Sequence, residues 1–373
     1  MRLAATRLSA CAPSTLWRRA PGRSPLLPLP VLPSSRAERT KRDSRHLVVA
    51  VGTAVLGTSL AFPHPHGRCQ CRAASPDKVV PLTTKNGGPT SSKNPTLVLV
   101  HGLDSWSGTF ERLMAELAKR GLRTFAVDLR GHGESPLGDP ADFSPEQLAA
   151  DVRAALQAAG LLESKVALVG HSMGGRIAMQ YAASYPEDLS VLVIEDMDCV
   201  AREYPELQGE DLKKCQTFSR QFPSWEVAKK ALMSFDYDEE RVESWYTGTP
   251  PRVYERESGG EKHVWSCINP HAQYLARQTV LNSIQGQECL QKIAAFQQSG
   301  VASFPVHVCV AGESRPGCMG TVCSWDFVPG GIHDMASALP SLQVKKFPAP
   351  DHSIHRTDLM LFADFLEQLD SSL

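Results

Sequence analysis

The chain has 373 residues, 42% hydrophobic and 21% charged, with a formal net charge of −1, a composition that in bulk suits an ordinary globular protein. That average hides a split, because residues 1–75 carry 12 Lys and Arg against Glu38 and Asp43, a net of +10, while residues 76–373 carry −11. The basic part is rich in Pro, Ser and Arg and has little to fold around, and the foldable part repels phosphates, which excludes a nucleic-acid binder.

Residues 1–45 have the acid-poor, Arg/Ala/Ser/Leu/Pro-rich composition of an organelle transit peptide. An uncharged run follows from Leu47 to Phe62. It is shorter than the roughly 20 residues of a spanning helix and fits the hydrophobic region of a signal. Arg39, Lys41, Arg42 and Arg45 directly precede it, which suggests a two-part signal: import into an organelle, then insertion or transfer at an inner membrane. The composition leans towards a plastid, with a mitochondrion as the alternative. Membrane association through a retained 47–62 anchor is the alternative to removal. His64, His66, Cys69 and Cys71 are metal-ligand types, but they fall between leader and body, where no metal site is expected. The seven Cys beyond residue 76 are odd in number and scattered, so a reducing compartment is expected rather than a disulfide framework, although Cys318 and Cys323 could pair within one loop.

From Thr96 onward, strands and helices alternate, the pattern of a parallel sheet covered on both faces. Val79–Leu82 is a weak β-like run, Thr96–Val100 a buried strand, and a helix is expected from about Trp106 to Arg120. Leu122–Val127 is the next strand. Ser144, Pro145 and Gln147 supply a cap, a first-turn proline and a capping-box residue for a helix to about Ala159. Lys165–Val169 and Leu189–Glu195 are strands flanking a helix over 174–185, and Pro305–Ala311 and Leu342–Phe347 are the last β-like runs before a final helix from about Thr357 to Leu369. Between 199 and 299 the alternation stops. That stretch is expected to form a helical cap over the C-terminal edge of the sheet, so that 76–198 and 300–373 make the core.

Val169-Gly170-His171-Ser172-Met173-Gly174-Gly175 follows a strand and opens a helix. In such a G-x-S-x-G turn the glycines allow a strained serine with an exposed hydroxyl above a helix N-terminus. His101-Gly102-Leu103-Asp104 follows the first clear strand, beside this turn in a doubly wound sheet. The N–H groups of Leu103 and Met173 are then the expected oxyanion donors, with His101 packing the loop. Together with Asp128-Leu129-Arg130-Gly131-His132-Gly133-Glu134-Ser135, these motifs resemble the α/β-hydrolase superfamily over roughly residues 96–370. The elbow, the HG-x-D loop and Val264, Trp265 and Asn269 are most similar to serine esterases of the abhydrolase-domain type.

The resemblance implies the chain order nucleophile, acid, histidine. His352 fits the base, with His355 its rival; Asp351 stands where relatives carry glycine. For the acid, relatives place a carboxylate about 24 residues beyond the serine, which points to Asp196. Glu195 is second, facing the other way along the strand, and Glu313 third, in a loop where Arg315 occupies the familiar Asp position. Ser172 would attack an ester or thioester carbonyl, His352 would take its proton, and Asp196 would orient His352, with no metal or organic cofactor required. A serine nucleophile argues against epoxide hydrolases and dehalogenases. Carbon–carbon bond hydrolases and cofactor-free haloperoxidases share the elbow, and a slow-turnover receptor or inactive scaffold is the reading from another class. Small-molecule or lipid acyl esters are the expected substrates. Trp106 and Trp265 are candidate substrate-binding residues, although cap aromatics more often form a packing core. The acidic run Asp236, Asp238, Glu239, Glu240 would disfavour anionic substrates if it bounded the entrance.

Overall fold

The computed structural model describes residues 74–91, 94–312 and 320–371. The leader, the 47–62 run, the His64–Cys71 string, Glu313 and Cys318 lie outside them. In chain order the strands are β1 (Thr84–Gly87), β2 (Leu97–Val100), β3 (Thr124–Val127), β4 (Val166–His171), β5 (Leu189–Glu195), β6 (Gln221–Phe222), β7 (Val253–Ser258), β8 (Glu261–Ser266), β9 (Val306–Val310) and β10 (Gln343–Lys346). The helices are α1 (Glu111–Lys119), α2 (Pro145–Ala158), α3 (Met173–Ser184), α4 (Gly209–Gln216), α5 (Trp225–Met233), α6 (Glu239–Thr247), α7 (Pro270–Ala276), α8 (Gln285–Ser299), α9 (Ile332–Ala338), α10 (Ile354–Thr357) and α11 (Leu359–Ser371).

Seven strands form one sheet in the order β1-β3-β2-β4-β5-β9-β10, with only β1 antiparallel to its neighbour. The apolar runs read as buried strands are buried along their whole length in β2, β3, β4 and β9, because helices cover both faces. One apolar layer joins the sheet to α2, α3, α8 and α9 through residues such as Phe125, Leu148, Ile177, Leu290 and Met335. The opposite layer joins it to α1 and α11 through Leu113, Leu117, Phe362 and Leu366. The edge strand β10 is exposed throughout and carries Lys345 and Lys346, charges that discourage pairing with another edge.

Three sequence expectations change. Val79–Leu82 is not a strand: the Val80 N–H bonds Asp151 Oδ1 at 3.1 Å, and Asp151 is held by a fully buried Arg130 at 2.5 Å, so this segment spends its backbone on an ion pair and β1 follows it. Gln147 does not complete a capping box. The Ser144 hydroxyl accepts the Gln147 N–H, but the Gln147 side chain ties down Ser75 instead. The insertion is not wholly helical. Gly259 and Gly260, both at positive φ, make a two-residue hairpin turn between β7 and β8, and β6 completes a three-stranded antiparallel sheet. With α4–α6 this sheet encloses its own core, from Leu207 to Ile268. The later helices α7 and α8 pack instead on the main core through Ala272, Ala276, Leu290 and Ile293, so the separate module ends about thirty residues before the expected boundary at 299.

Candidate active site

The strand order reverses between β2 and β4, so the loops leaving these two strands part at the C-terminal edge and open a crevice there. The β2 loop begins at His101 and the β4 loop holds Ser172. Gly174 is packed so closely on the Val100 and His101 carbonyls that any Cβ would meet backbone. Gly102 likewise lies against Ser172, where a Cβ would come within 2.9 Å of the serine's Cβ. Glycine at these positions therefore sets the distance between the two loops.

Ser172 adopts φ 54° and ψ −125°, a conformation costly for a residue with a side chain. Its N–H donates to the Glu195 carbonyl at 2.9 Å, tying the turn to the end of β5. Met173 opens α3, whose first N–H groups have no intrahelical acceptors, and Leu103 follows the glycine that touches Ser172. His101 donates through Nδ1 to the Gly102 carbonyl at 2.7 Å, and its Nε2 accepts the Leu129 N–H at 3.0 Å. Burial lowers its pKa to about 4, so it serves as a neutral loop-packing residue.

Both rivals for base and both leading rivals for acid are buried here, and they sort into two pairs. His352 Nδ1 lies 2.6 Å from Asp196 Oδ2. A carboxylate accepts, so Nδ1 carries the proton and Nε2 is the ring's lone-pair nitrogen. Asp196, at φ 46°, also accepts from the Ala311 N–H at 3.0 Å, the Thr321 hydroxyl at 2.7 Å and the Val322 N–H at 2.8 Å. Burial alone would raise its pKa, but the bonds from His352, Val322 and Thr321 outweigh that and hold it below the usual carboxylate range. The second pair is Glu195 and His355, both fully buried, with His355 Nδ1 at 2.8 Å from Glu195 Oε1 and the His355 N–H at the same distance. The Thr109 hydroxyl is 3.0 Å from His355 Nε2. Burial raises Glu195 to about 7 and lowers His355 to about 3, so His355 is neutral, receives the Thr109 proton donor on Nε2 and donates from Nδ1.

The two pairs share a wall. His171 Nε2 bonds the His352 carbonyl at 3.1 Å, and the His171 ring lies 4.6 Å from that of His352 and 4.8 Å from that of His355. The elbow thus grips the turn that carries His352. Among the described residues the Ser172 hydroxyl makes no hydrogen bond; what links its turn to the His352–Asp196 pair is the neighbouring His171, through the His352 carbonyl. Asp351, standing in the expected glycine position, accepts the Ser353 N–H at 2.8 Å and so closes the turn itself.

The expected substrate residues have packing partners. Trp106 is 7% exposed, stacked on Tyr254 with Lys85 over its face. Trp265 donates to the Gly133 carbonyl at 3.1 Å, between the guanidinium groups of Arg220 and Arg256. Trp225 stacks on Tyr246, and Tyr237 meets Trp245 edge-on, so these four build the insertion's core. Asp238 caps α6, and Glu239 pairs with Lys229. Sequence reasoning missed Thr109 and Thr321. Nothing local marks either one, because each becomes relevant only when a distant loop is brought to a carboxylate or an imidazole.

A family profile described as the alpha/beta hydrolase fold matches residues 95–238. The mouse sn-1-specific diacylglycerol lipase ABHD11 is 36% identical over 107 residues, which is 28% of this chain and 34% of that protein. Human protein phosphatase methylesterase 1 is 35% identical over 116 residues, 30% of each chain. The matched part thus spans about a third of these relatives. Among solved structures, a marine microorganism esterase gives a TM-score of 0.53 at 16% identity, covering 78% of this chain and 99% of its own. The thioesterase domain from the curacin biosynthetic pathway gives 0.52 at 18%, covering 76% and 94%. At such identities these structures speak for the fold.

Proposed function

Because the chain belongs to the α/β-hydrolase superfamily, we propose that it is a serine hydrolase that cleaves carboxylic esters or thioesters through an acyl-enzyme on Ser172. The observation that carries this reading is the His352–Asp196 pair at 2.6 Å, supported by the strained Ser172 backbone at the topological switch point and by the bond from the adjacent His171 to the His352 carbonyl. In this reading Nε2 of His352 takes the Ser172 proton as the hydroxyl attacks the carbonyl carbon. The carbonyl oxygen becomes the oxyanion and is met by the Leu103 and Met173 N–H groups. The imidazolium, stabilised by Asp196, protonates the departing alcohol or thiol. Water then deprotonated by His352 releases the acid.

The inserted 207–268 module is proposed as the lid, since Trp265 and Arg220, with Asn269 just beyond it, tie it to the Gly131–Ser135 loop that follows β3. The composition of the leader supports a plastid address, and a fusion of residues 1–75 to a fluorescent protein that stayed cytosolic would overturn it. The hydrolase reading is tested by p-nitrophenyl esters of increasing acyl length. Wild type is expected to turn over many equivalents and Ser172→Ala to lose about 10³-fold or more. A single stoichiometric turnover would favour a receptor instead.

A further inference from the structure

Phe327 is 89% exposed, the highest value of any large apolar side chain among the described residues, and Val328 beside it is exposed too. A single exposed ring is ordinary on a protein surface, but this one is held outward by its backbone. The Val328 N–H donates to the Asp326 carbonyl at 2.8 Å and the Gly331 N–H to the Val328 carbonyl at 3.0 Å, while the Ile332 N–H reaches the Ser324 carbonyl and the Cys199 N–H the Gly330 carbonyl. Gly330, at φ 83°, lies so close to the Cys199 backbone that a Cβ would meet it. The 324–332 turn is therefore a built one that presents its apolar tip to solvent.

The ring continues into a row of aromatic and cationic groups. Phe327 stacks on His333 at 4.2 Å, His333 meets Trp325 edge-on at 6.4 Å, and the Lys346 ammonium lies 4.2 Å over Trp325. Lys346 ends the exposed edge strand β10, where its neighbour Lys345 rests 4.4 Å over Phe365. Both lysines thus lie on rings, and neither forms an ion pair among the described residues. The nearby carboxylates are spent elsewhere: Asp334 accepts the Gly330 N–H at 2.7 Å, and Asp364 and Glu367 of α11 are held by Arg120, leaving Asp326 as the carboxylate of the exposed tip. In a body that carries −11, this is a cationic strip ending in an apolar point.

A stable protein partner needs about 800 Å² of surface from each side, and the apolar part here is one ring and one valine on a projecting turn. A bilayer asks less: an apolar tip enters the acyl boundary, amphipathic Trp and Lys side chains sit at headgroup depth, and ammonium groups attract anionic headgroups. We infer that the 325–328 tip and β10 form a docking surface for an anionic lipid bilayer. Docking bears on the catalytic site through the same loop. Thr321 and Val322 bond Asp196, and Ser324 bonds Asp198, so a bilayer that steadies the tip also steadies the acid. The docking stands on the surface alone, and its effect on turnover rests on the hydrolase reading.

The experiment uses the full chain, whose basic leader also attracts anionic vesicles, so the readout is local. Hydrogen–deuterium exchange is followed in peptides covering 325–333 and 343–347, with vesicles of equal parts phosphatidylcholine and phosphatidylglycerol and with vesicles of phosphatidylcholine alone. Exchange in both peptides is expected to slow with the mixed vesicles and not with phosphatidylcholine. Phe327→Ser and the double variant Lys345→Gln/Lys346→Gln should each lose that slowing while keeping the wild-type melting temperature and, in buffer, the wild-type rate on p-nitrophenyl acetate. Exchange that does not slow in wild type, that slows equally with phosphatidylcholine alone, or that still slows in either variant overturns the inference. With the mixed vesicles present, the rate on p-nitrophenyl acetate should rise in wild type and stay at its buffer value in Phe327→Ser, and a wild-type rate that the vesicles leave unchanged contradicts the link to Asp196. If the chain hydrolyses no ester, the hydrolase reading fails separately and the exchange measurement still decides the docking.

Discussion

Adjacent residues Glu195 and Asp196 carry two carboxylates that reach two different histidines, separated where β5 ends at Glu195 and the chain turns at Asp196, whose φ is 46°. From sequence, alternation says only that one of the two can face His352; the spacing of about 24 residues beyond the serine in the resembling esterases is what points to Asp196. The rival residues were not idle alternatives, however: Glu195 and His355 form a second buried pair three residues from the base, with Thr109 completing a hydroxyl–imidazole–carboxylate chain. We expect Glu195 and His355 to act as positioning residues, since Glu195 accepts the His355 N–H and so fixes the turn behind His352. Glu195→Gln should lower kcat about tenfold with KM little changed, as one charge-assisted bond is lost, and Glu195→Asp should not rescue it because the shorter side chain cannot span the same gap. An unchanged kcat would contradict the role. At Asp196 the Thr321 hydroxyl is one of four donors. Removing it in Thr321→Val should cost roughly 1–3 kcal/mol of support for the carboxylate, read as a lower kcat and an upward shift of the acidic limb of the pH–rate profile.

The core strands and helices were legible because each carries its own periodicity. Ser144 and Pro145 start α2 where the capping pattern puts the start, and the apolar runs became β2, β4, β5 and β9 within a residue or two. The insertion was less legible. Its β7–β8 hairpin is signalled by Gly259-Gly260, but the flanking Glu, Arg and Lys residues mask the two-residue alternation, since both strands have a solvent face. The 320–324 stretch was unreadable for a different reason. It has no regular structure, and its Thr321, Val322 and Ser324 are ordered by the buried carboxylates of Asp196 and Asp198, a contact between segments more than a hundred residues apart. Spacing between elements also yields a prediction. Gly102 touches Ser172, so Gly102→Ala should push the β2 loop from the elbow by a few tenths of an ångström. Activity is expected to fall by about 10²-fold, because small misplacements are costly in a preorganised site, while the circular dichroism spectrum stays the same. Retention of full activity would show that this approach does not set the oxyanion geometry.

Over the whole molecule, the near-zero net charge describes neither part of the chain, and the buried histidines matter more for stability. Burial lowers His101 to about 4 and His132, His171 and His355 each to about 3. Each is neutral when folded and gains a proton on unfolding below its ordinary value near 6.5, so the stability it contributes is complete above that pH and is lost as pH falls towards the folded values. Glu195, raised from 4.5 to about 7, runs the other way: its contribution is present below 4.5 and lost as pH rises through 7. Between pH 6.5 and 5 the histidines outnumber it, so the net uptake on unfolding rises from about one proton to about three, or from roughly 2 to roughly 4 kcal/mol per pH unit. The melting temperature measured by calorimetry should therefore drop steeply from pH 6.5 to 5, and a flat profile across that range would contradict the burial of these rings. The central claim is tested most directly by reacting the full chain with a fluorophosphonate and locating the adduct by peptide mass spectrometry. One adduct on the peptide containing Ser172, absent from Ser172→Ala together with ester turnover, is the expected result. An adduct at another residue, or wild-type turnover by Ser172→Ala, would contradict it.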